Sequence, residues 1–175
     1  MKNHRLVAQV RFDTPLGPVT AAATERGLAG LWFDGQAHHP GPLDVPVDPA
    51  HPVLALAQRE LAVYWRDARS NFTVPLDLAG TPFQARIWQA LREIRPGTTT
   101  TYLAIATAAG TASASRAAGA AIGRNPVSII VPCHRVLGGN GALTGYAGGI
   151  ERKRALLERE GALQVTVMAR ARTRG

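Results

Sequence analysis

Residues 101–124 read TYLAIATAAGTASASRAAGAAIGR and indicate how the C-terminal half of the chain folds. The stretch predicts a helix over about Thr101–Ala109, a turn at Gly110-Thr111 and a second helix over about Ser113–Arg124. Two short helices joined by a glycine turn have the outline of a helix-turn-helix, a motif of DNA-binding domains. The second helix is nearly all alanine and glycine, which permits close approach to a neighbouring helix or to a nucleic-acid groove.

The helix that precedes this pair has a clear start signal. Thr81-Pro82-Phe83-Gln84 fits a capping box with proline at the first helical position, and Pro96-Gly97 ends the helix. The buried stripe of this helix is predicted to comprise Phe83, Ile87, Ala90, Leu91 and Ile94. A domain boundary is therefore expected near residues 75–81.

The N-terminal half is predicted to fold as three strands followed by a helix. Alternating apolar and polar residues over 6–12 predict a half-buried strand, and Val19–Ala23 and Leu28–Phe33 continue it as an antiparallel meander. A proline-rich loop follows over residues 34–52. The helix after the loop is predicted from apolar residues at helical spacing: Leu54, Ala57, Leu61 and Tyr64. We expect an N-terminal domain over residues 1–78, a C-terminal domain over 79–163 and a flexible tail over 164–175.

Length and composition restrict the class of protein. The chain has 175 residues, 46% of them hydrophobic, and a mean hydropathy of −0.03, as expected of a soluble globular protein. No apolar run approaches the ~20 residues that cross a bilayer, and the N-terminus lacks the apolar block of a signal peptide. A single cysteine excludes an internal disulfide and a cysteine-rich zinc site. We expect a cytoplasmic protein with no metal and no membrane partner.

The charge is distributed unevenly along the chain. Residues 1–80 carry seven basic and eight acidic side chains, a net charge of −1, whereas residues 81–175 carry thirteen and four, a net charge of +9. This asymmetry indicates an anionic partner for the C-terminal half, and nucleic acid is the leading candidate.

The segment in which chemistry is expected is Val131-Pro132-Cys133-His134-Arg135-Val136. The apolar run Val127–Val131 predicts a buried strand that leads into it. A free thiol has a pKa of ~8.5, so a nucleophilic cysteine needs a neighbour such as an imidazole or a guanidinium group. Glycine-rich runs over residues 138–141 and 145–149 suit a loop that admits a bulky ligand near the sulfur. The simpler alternative is that Cys133 is a small buried hydrophobic residue.

Three segments together resemble the signature of a known family: Asn125-Pro126, Pro132-Cys133-His134-Arg135-Val136 and Gly145-Tyr146-Ala147-Gly148-Gly149. The family is that of the methylated-DNA–protein-cysteine methyltransferases, the O6-alkylguanine-DNA alkyltransferases. The resemblance runs from about Thr81 to Gly161, and residues 1–80 resemble only the family's variable N-terminal domain. It implies an α+β fold: an N-terminal antiparallel, ribonuclease H-like sheet domain with a helix, and a C-terminal winged-helix or helix-turn-helix-like domain that carries the active-site cysteine.

The resemblance also implies catalytic roles for five residues. Cys133 would accept the alkyl group irreversibly, and His134 would take the thiol proton through a water molecule. Glu160 would orient His134, Asn125 would brace the active-site turn, and Tyr102 would help to turn the target nucleotide out of the duplex. Without the resemblance, each of these residues has an ordinary structural alternative, such as a core tyrosine or a solvated carboxylate at a helix end.

The other predicted site residues form two groups. The resemblance implies that the surface in contact with the DNA minor groove comprises Tyr102, Arg116, Ala117, Gly119, Ala120 and Arg124, and that Arg116 fills the gap left by the flipped nucleotide. It also implies a substrate pocket lined by Val136, Thr144, Tyr146 and Ala147. Many relatives have a serine where this chain has Ala147, so a side-chain hydrogen bond to guanine O6 is not available here.

The resemblance implies irreversible, stoichiometric transfer of the alkyl group from O6-alkylguanine in duplex DNA to Cys133, and less efficient transfer from O4-alkylthymine. Duplex DNA containing O6-alkylguanine would be the partner, with no cofactor, no required protein partner and a monomeric state. Three alternatives remain. A non-catalytic relative would bind alkylated DNA without reacting, a cysteine hydrolase would turn over repeatedly, and a DNA-binding regulator would bind without being modified.

Overall fold

The computed structural model describes residues 4–163, so the tail predicted over 164–175 lies outside the described residues. Three strands, β1 (Ala8–Phe12), β2 (Val19–Ala23) and β3 (Leu28–Phe33), form an antiparallel sheet in the order β1-β2-β3. The central strand is buried on both faces because three successive alanines, Ala21, Ala22 and Ala23, are inaccessible to solvent. The predicted antiparallel meander is therefore confirmed.

The helix of the N-terminal half, α1 (Pro52–Arg66), packs against this sheet. It begins with proline at its first position, where the missing N–H costs no helical hydrogen bond. Its buried residues are those that the helical spacing predicts: Leu54, Ala57, Leu61 and Tyr64. Tyr64 is the largest fully buried side chain among the described residues, and it points toward the C-terminal half.

The next helix, α2 (Pro82–Arg92), starts at the predicted capping box. The Gln84 amide donates to the Thr81 hydroxyl over 3.1 Å, and the Thr81 amide donates to the Gln84 side chain over 3.0 Å. The predicted stripe places Ile87 and Leu91 in the core, while Phe83 and Ala90 are partly buried against it. The helix ends at Arg92, before the predicted stop at Pro96-Gly97, so Ile94 packs against the core from the turn that follows the helix. Trp88 is also buried, and its indole N–H donates to the Ala121 carbonyl over 2.9 Å.

The helix-turn-helix comprises α3 (Tyr102–Ala108), a short 3-10 turn (Ala112–Ala114) and α4 (Ser115–Gly123). On α4, Ala118 and Ala121 are buried and the helix packs on α2, so small side chains permit a close contact between the two helices. The opposite face of α4 carries exposed small residues, Ala117 and Ala120. Small residues on α4 therefore serve internal packing on one face and leave a smooth surface on the other.

The strand predicted over Val127–Val131 is wrong. Only Val127 pairs, in an isolated bridge with Leu31 of β3, and the following residues form turns. Ile129 has a φ of +72°, and the amide of Ile130 bonds back to the carbonyl of Ser128 over 2.8 Å, so the chain cannot remain extended. Val127, Ile129 and Val131 are buried because this compact turn lies in the core, and an apolar run in the sequence does not distinguish such a turn from a strand.

A two-stranded parallel sheet connects the helix-turn-helix to the remaining elements. Its strands are β4 (Thr100–Thr101) and β5 (Val136–Leu137), and a loop then leads to α5 (Ile150–Arg159). The N-terminal half contacts this region through its backbone: the Leu31 amide donates to the Pro126 carbonyl over 2.9 Å, and the Ala37 amide donates to the Ala147 carbonyl over 2.9 Å. Within residues 4–163, none of the helices has the length and apolar character needed to cross a membrane.

Candidate active site

Cys133 begins a 3-10 turn (Cys133–Arg135) and lines a cavity of about 250 Å³. Cys133 is only 6% exposed, and it reaches solvent through this cavity. Of the predicted pocket residues, Tyr146 and Ala147 line the cavity, Val136 is fully buried outside its lining, and Thr144 is exposed on the loop. The other lining residues come from distant parts of the chain: Ala37, His38, Tyr102, Gly119, Ile122, Gly123 and Gly145.

Asn125 holds the turn that carries the cysteine. Its side-chain N–H donates to the Val131 carbonyl over 2.7 Å and to the Cys133 sulfur at 3.1 Å, and its side-chain oxygen accepts from the Val127 amide over 3.0 Å. The buried Asn125 thus both fixes the turn and directs a donor at the sulfur.

The Cys133 thiol is neutral at rest. Burial raises its pKa above the ordinary value, and the hydrogen bond from Asn125 and the charge of Lys153 oppose this shift without reversing it. A group that takes the thiol proton is therefore needed before the sulfur becomes a strong nucleophile.

His134 is the neighbouring base. Its Nε2 lies 2.7 Å from the Glu160 carboxylate, and both side chains are buried. Burial lowers the pKa of His134, and this outweighs the effect of Glu160, so the imidazole is neutral. Because the ionised carboxylate can only accept, Nε2 carries the hydrogen and Nδ1 carries the free lone pair. Nδ1 is buried and has no hydrogen-bond partner among the described residues, so it is free to receive a proton.

Glu160 remains ionised although it is buried. Burial raises its pKa, but hydrogen bonds from His134 and Arg135 outweigh that effect and hold the pKa at about 2. Arg135 donates from Nε to one carboxylate oxygen and from Nη2 to the other, each over 2.9 Å, and its Nη1 donates to the Ile94 carbonyl over 2.6 Å. The Tyr64 hydroxyl adds a further hydrogen bond over 2.8 Å.

Lys153 is a site residue that sequence reasoning missed. Its fully buried side chain donates from Nζ to the carbonyls of Val136 at 2.5 Å, Thr144 at 2.8 Å and Gly145 at 3.2 Å. It therefore ties β5 to the glycine-rich loop over the cavity. Burial lowers the pKa of Lys153 to about 8. The sequence does contain a signal for a buried Lys153. Residues 153, 156, 157 and 160 recur at helical spacing, so Lys153 lies on the same face of α5 as two buried leucines.

Tyr102 and the glycine-rich loop both contribute to the cavity wall. The Tyr102 hydroxyl donates to the Thr144 carbonyl over 2.9 Å, so the tyrosine also fastens the loop. A side chain at Gly148 would lie 2.6 Å from the Tyr146 ring, which explains glycine at that position. Gly119 on α4 faces Tyr102, with 3.8 Å between the position of a Cβ and the ring.

The remaining predicted DNA-contact residues lie on α4 and at its C-terminal end, outside the cavity. Arg116, Ala117 and Ala120 are exposed on one face of the helix, and Arg124, which caps the helix, is exposed as well. Neither arginine forms an ion pair with any residue between 4 and 163, so both charges face solvent. In the same range no three His, Cys, Asp or Glu side chains cluster as metal ligands would.

The arrangement combines a nucleophile, a base and a polarising carboxylate beside a cavity. The thiol can pass its proton to His134, and Glu160 can stabilise the imidazolium that forms. The resulting thiolate faces a cavity lined mostly by apolar groups and glycines, which suits a flat, aromatic ligand. Such a site can carry out nucleophilic attack on a group that the cavity holds.

Two family models match the chain. Residues 10–78 match "6-O-methylguanine DNA methyltransferase, ribonuclease-like domain", and residues 82–162 match "6-O-methylguanine DNA methyltransferase, DNA binding domain". The methylated-DNA–protein-cysteine methyltransferase of Mycobacterium tuberculosis is 46% identical over 149 residues, which cover 85% of this chain and 89% of the relative. That of Methanosarcina acetivorans is 42% identical over 153 residues, covering 86% and 96%.

The fold also resembles a solved structure. A crystal structure of Mycobacterium tuberculosis OGT in complex with DNA superposes with a TM-score of 0.80 at 44% identity, and the match covers 89% of this chain and 94% of that one. The α+β architecture predicted from the sequence, with its N-terminal sheet and helical C-terminal part, is therefore confirmed.

Proposed function

Because the chain belongs to the methylated-DNA–protein-cysteine methyltransferase family, which repairs DNA by alkyl transfer, we propose that it moves the alkyl group of O6-alkylguanine in duplex DNA onto Cys133. The observation that carries this proposal is the position of Cys133: it lines the cavity, Asn125 donates to its sulfur, and the next residue in the chain, His134, is paired with Glu160. The same geometry favours a reacting cysteine over a non-catalytic damage binder, since a merely structural thiol needs no buried base.

The proposed reaction is a single displacement. The thiol proton moves through a water molecule to Nδ1 of His134, and the sulfur forms a bond to the alkyl carbon as the bond from that carbon to guanine O6 breaks. The electron pair of the broken bond stays on the guanine, which takes up one proton from water, and His134 afterwards releases to water the proton that it received. A thiol and an O6-alkylguanine thus become a thioether and a guanine. A thioether is not hydrolysed by this set of residues, so each molecule acts once.

The proposed approach to DNA is through the exposed face of α4. The minor groove is only ~6 Å wide, and the small side chains at Ala117, Gly119 and Ala120 suit a helix that enters it. Arg116 would occupy the gap in the base stack once the damaged nucleotide has turned toward Tyr102 and the cavity. The net charge of +9 over residues 81–175 supplies attraction to the phosphates without sequence preference.

We further propose a substrate preference, a cellular location, an oligomeric state and domain bounds for the protein. O4-alkylthymine would be a poorer substrate than O6-alkylguanine. The protein would act as a cytoplasmic monomer without a cofactor, and its two domains would span residues 1–78 and 79–163.

Mass spectrometry tests the proposed function. The protein is mixed with excess duplex DNA that carries one O6-methylguanine, and the masses of the intact protein and of its peptides are then measured. We expect one added methyl group on the Cys133 peptide, with saturation at one per protein molecule. Cys133→Ala should bind the duplex with unchanged affinity and gain no methyl group.

Each other outcome selects an alternative. Tight binding with no change in mass would identify a non-catalytic damage binder. Repeated removal of methyl groups by an unmodified protein would show that the transfer mechanism is wrong. Methyl transfer in Cys133→Ala would mean that another side chain is the acceptor.

A further inference from the structure

Tyr64 reaches the catalytic carboxylate from the other half of the chain. It lies on α1, 96 residues before Glu160, and its hydroxyl donates to Glu160 Oε1 over 2.8 Å. The same oxygen lies 2.7 Å from His134 Nε2 and accepts from Arg135 over 2.9 Å. The N-terminal half thus supplies a hydrogen bond to the oxygen that also receives the His134 hydrogen.

The Tyr64 ring is held so that its hydroxyl points at this oxygen. Trp65 packs edge-on against the ring with 5.1 Å between centroids, and Phe72 lies 5.6 Å away on a tilted plane. Apolar packing of the ring alone would be served equally by phenylalanine. The buried hydroxyl is accounted for by its bond to Glu160, because a buried O–H without an acceptor is costly.

The hydroxyl is a donor that does not itself lose a proton. Burial, followed by the negative charge of Glu160, raises the pKa of Tyr64 far above its ordinary value. The hydrogen bond to Glu160 therefore persists while His134 gains and loses its proton. The hydrogen bond from Tyr64 fixes the position of the carboxylate, and it reduces the negative charge that Glu160 Oε1 presents to His134.

We infer that Tyr64 is a positioning residue of the proton relay, which acts through Glu160 on His134 and thereby makes the N-terminal half part of the alkyl-transfer site. The inference rests on the proposed function, since it assigns a role within that reaction. Without the Tyr64 hydroxyl, more of the negative charge at Oε1 acts on His134, and its protonated form becomes more stable. His134 then becomes available as a base only at higher pH.

Other ionisable groups surround the relay, and the test leaves them in place. Arg135 on the 3-10 turn and Lys153 on α5 face the pair with positive charge. Cys133 and Tyr146 adjoin it from the cavity side. Replacing Tyr64 by phenylalanine removes a hydroxyl and changes none of these charges.

The experiment measures single-turnover methyl transfer by the full chain against pH, with duplex DNA containing O6-methylguanine, for the wild type and Tyr64→Phe. The rate should rise with pH as His134 becomes neutral. We expect the rise in Tyr64→Phe to lie about 0.5–1 pH unit higher, because the net strength of a single hydrogen bond corresponds to a pKa change of roughly that size. On the rising part of the profile the variant would then be roughly three- to tenfold slower.

The matched control is Leu61→Val, which perturbs the packing of α1 one turn earlier without touching a polar group. It should lose stability and keep the wild-type pH profile. A shift in Leu61→Val as large as that in Tyr64→Phe would reduce Tyr64 to a packing residue and overturn the inference. Superimposable profiles of the wild type and Tyr64→Phe, or a shift to lower pH, would also overturn it.

A DNA-free measurement separates this inference from the proposed function. The imidazole nitrogens of the five histidines are titrated by NMR, and His134 is assigned by comparison with His134→Gln. The pKa of His134 should be higher in Tyr64→Phe than in the wild type, and equal values would refute the role of Tyr64. If the wild-type protein transfers no methyl group at all, the proposed function fails, and the NMR titration still decides whether Tyr64 acts on His134.

Discussion

Replacing Glu160 by glutamine removes the charge at the centre of the site with little change of shape. The buried carboxylate receives hydrogen bonds from the Tyr64 hydroxyl, from His134 Nε2 and from two Arg135 nitrogens. Glutamine retains one acceptor oxygen. Its NH2 group takes the place of the other oxygen and faces N–H or O–H groups that donate to the carboxylate in the wild type. Arg135 then stays buried without a carboxylate partner, a situation that costs several kcal/mol.

The magnitude follows from the pKa of Glu160. It is held at about 2 against an ordinary 4.5, because the hydrogen bonds from His134 and Arg135 outweigh the burial that would raise it. Each pKa unit corresponds to ~1.4 kcal/mol, so the ionised carboxylate contributes about 3 kcal/mol to the free energy of unfolding. Since the folded pKa is the lower one, this contribution is complete above pH ~4.5 and is lost as the pH falls toward ~2.

Glu160→Gln should therefore lower the free energy of unfolding by about 3 kcal/mol at pH 7, and the difference from the wild type should close between pH 4.5 and 2. Urea titrations followed by tryptophan fluorescence at several pH values measure this. Glu158→Gln is the control, because Glu158 lies on the same helix and makes no side-chain hydrogen bond within residues 4–163. A difference that stays constant from pH 7 to pH 3 would refute the reasoning.

Two further predictions concern single side chains. Arg116→Ala should slow repair in duplex DNA far more than reaction with free O6-methylguanine, whereas Arg154→Ala, an exposed arginine on α5, should not; equal losses on both substrates would remove the proposed role of Arg116. Asn125→Ala should lower the free energy of unfolding by roughly 2–4 kcal/mol and slow alkylation of Cys133 by iodoacetamide, because three hydrogen bonds disappear. An Asn125→Ala protein as stable as Asn140→Ala would contradict this.

Local signals in the sequence predicted most of the fold. The start of α2 depends on residues three apart, so Thr81 and Gln84 identify it without tertiary information. The meander and the buried face of α1 follow from apolar periodicity, because the spacing of apolar residues indicates which side of a strand or helix packs against the core. The Val127–Val131 turn was mispredicted because its side chains are as apolar as those of a strand, while its shape depends on the Asn125 side chain and on the backbone of Ile129.

The parts of the site that sequence reasoning missed are those assembled from distant segments. Tyr64 looks like one more core position of α1, and only the packing of the two halves brings its hydroxyl to Glu160. Ala37 and His38 belong to an irregular loop with no periodic signal, yet they line the cavity beside Cys133. Contacts of this range depend on tertiary structure, which a single sequence does not encode in local patterns.

The raised pKa of Cys133 suits the proposed mechanism, in which the thiol reacts only once. A cysteine kept as a thiolate would react with any electrophile that entered the cavity, and the molecule would be consumed without repairing DNA. Burial instead keeps the thiol neutral, while Asn125 and Lys153 limit how far its pKa rises. Ionisation then requires His134 to take the proton. Burial of the site thus protects the thiol, while the hydrogen bonds around Glu160 stabilise the fold and hold His134 in the form that accepts the proton.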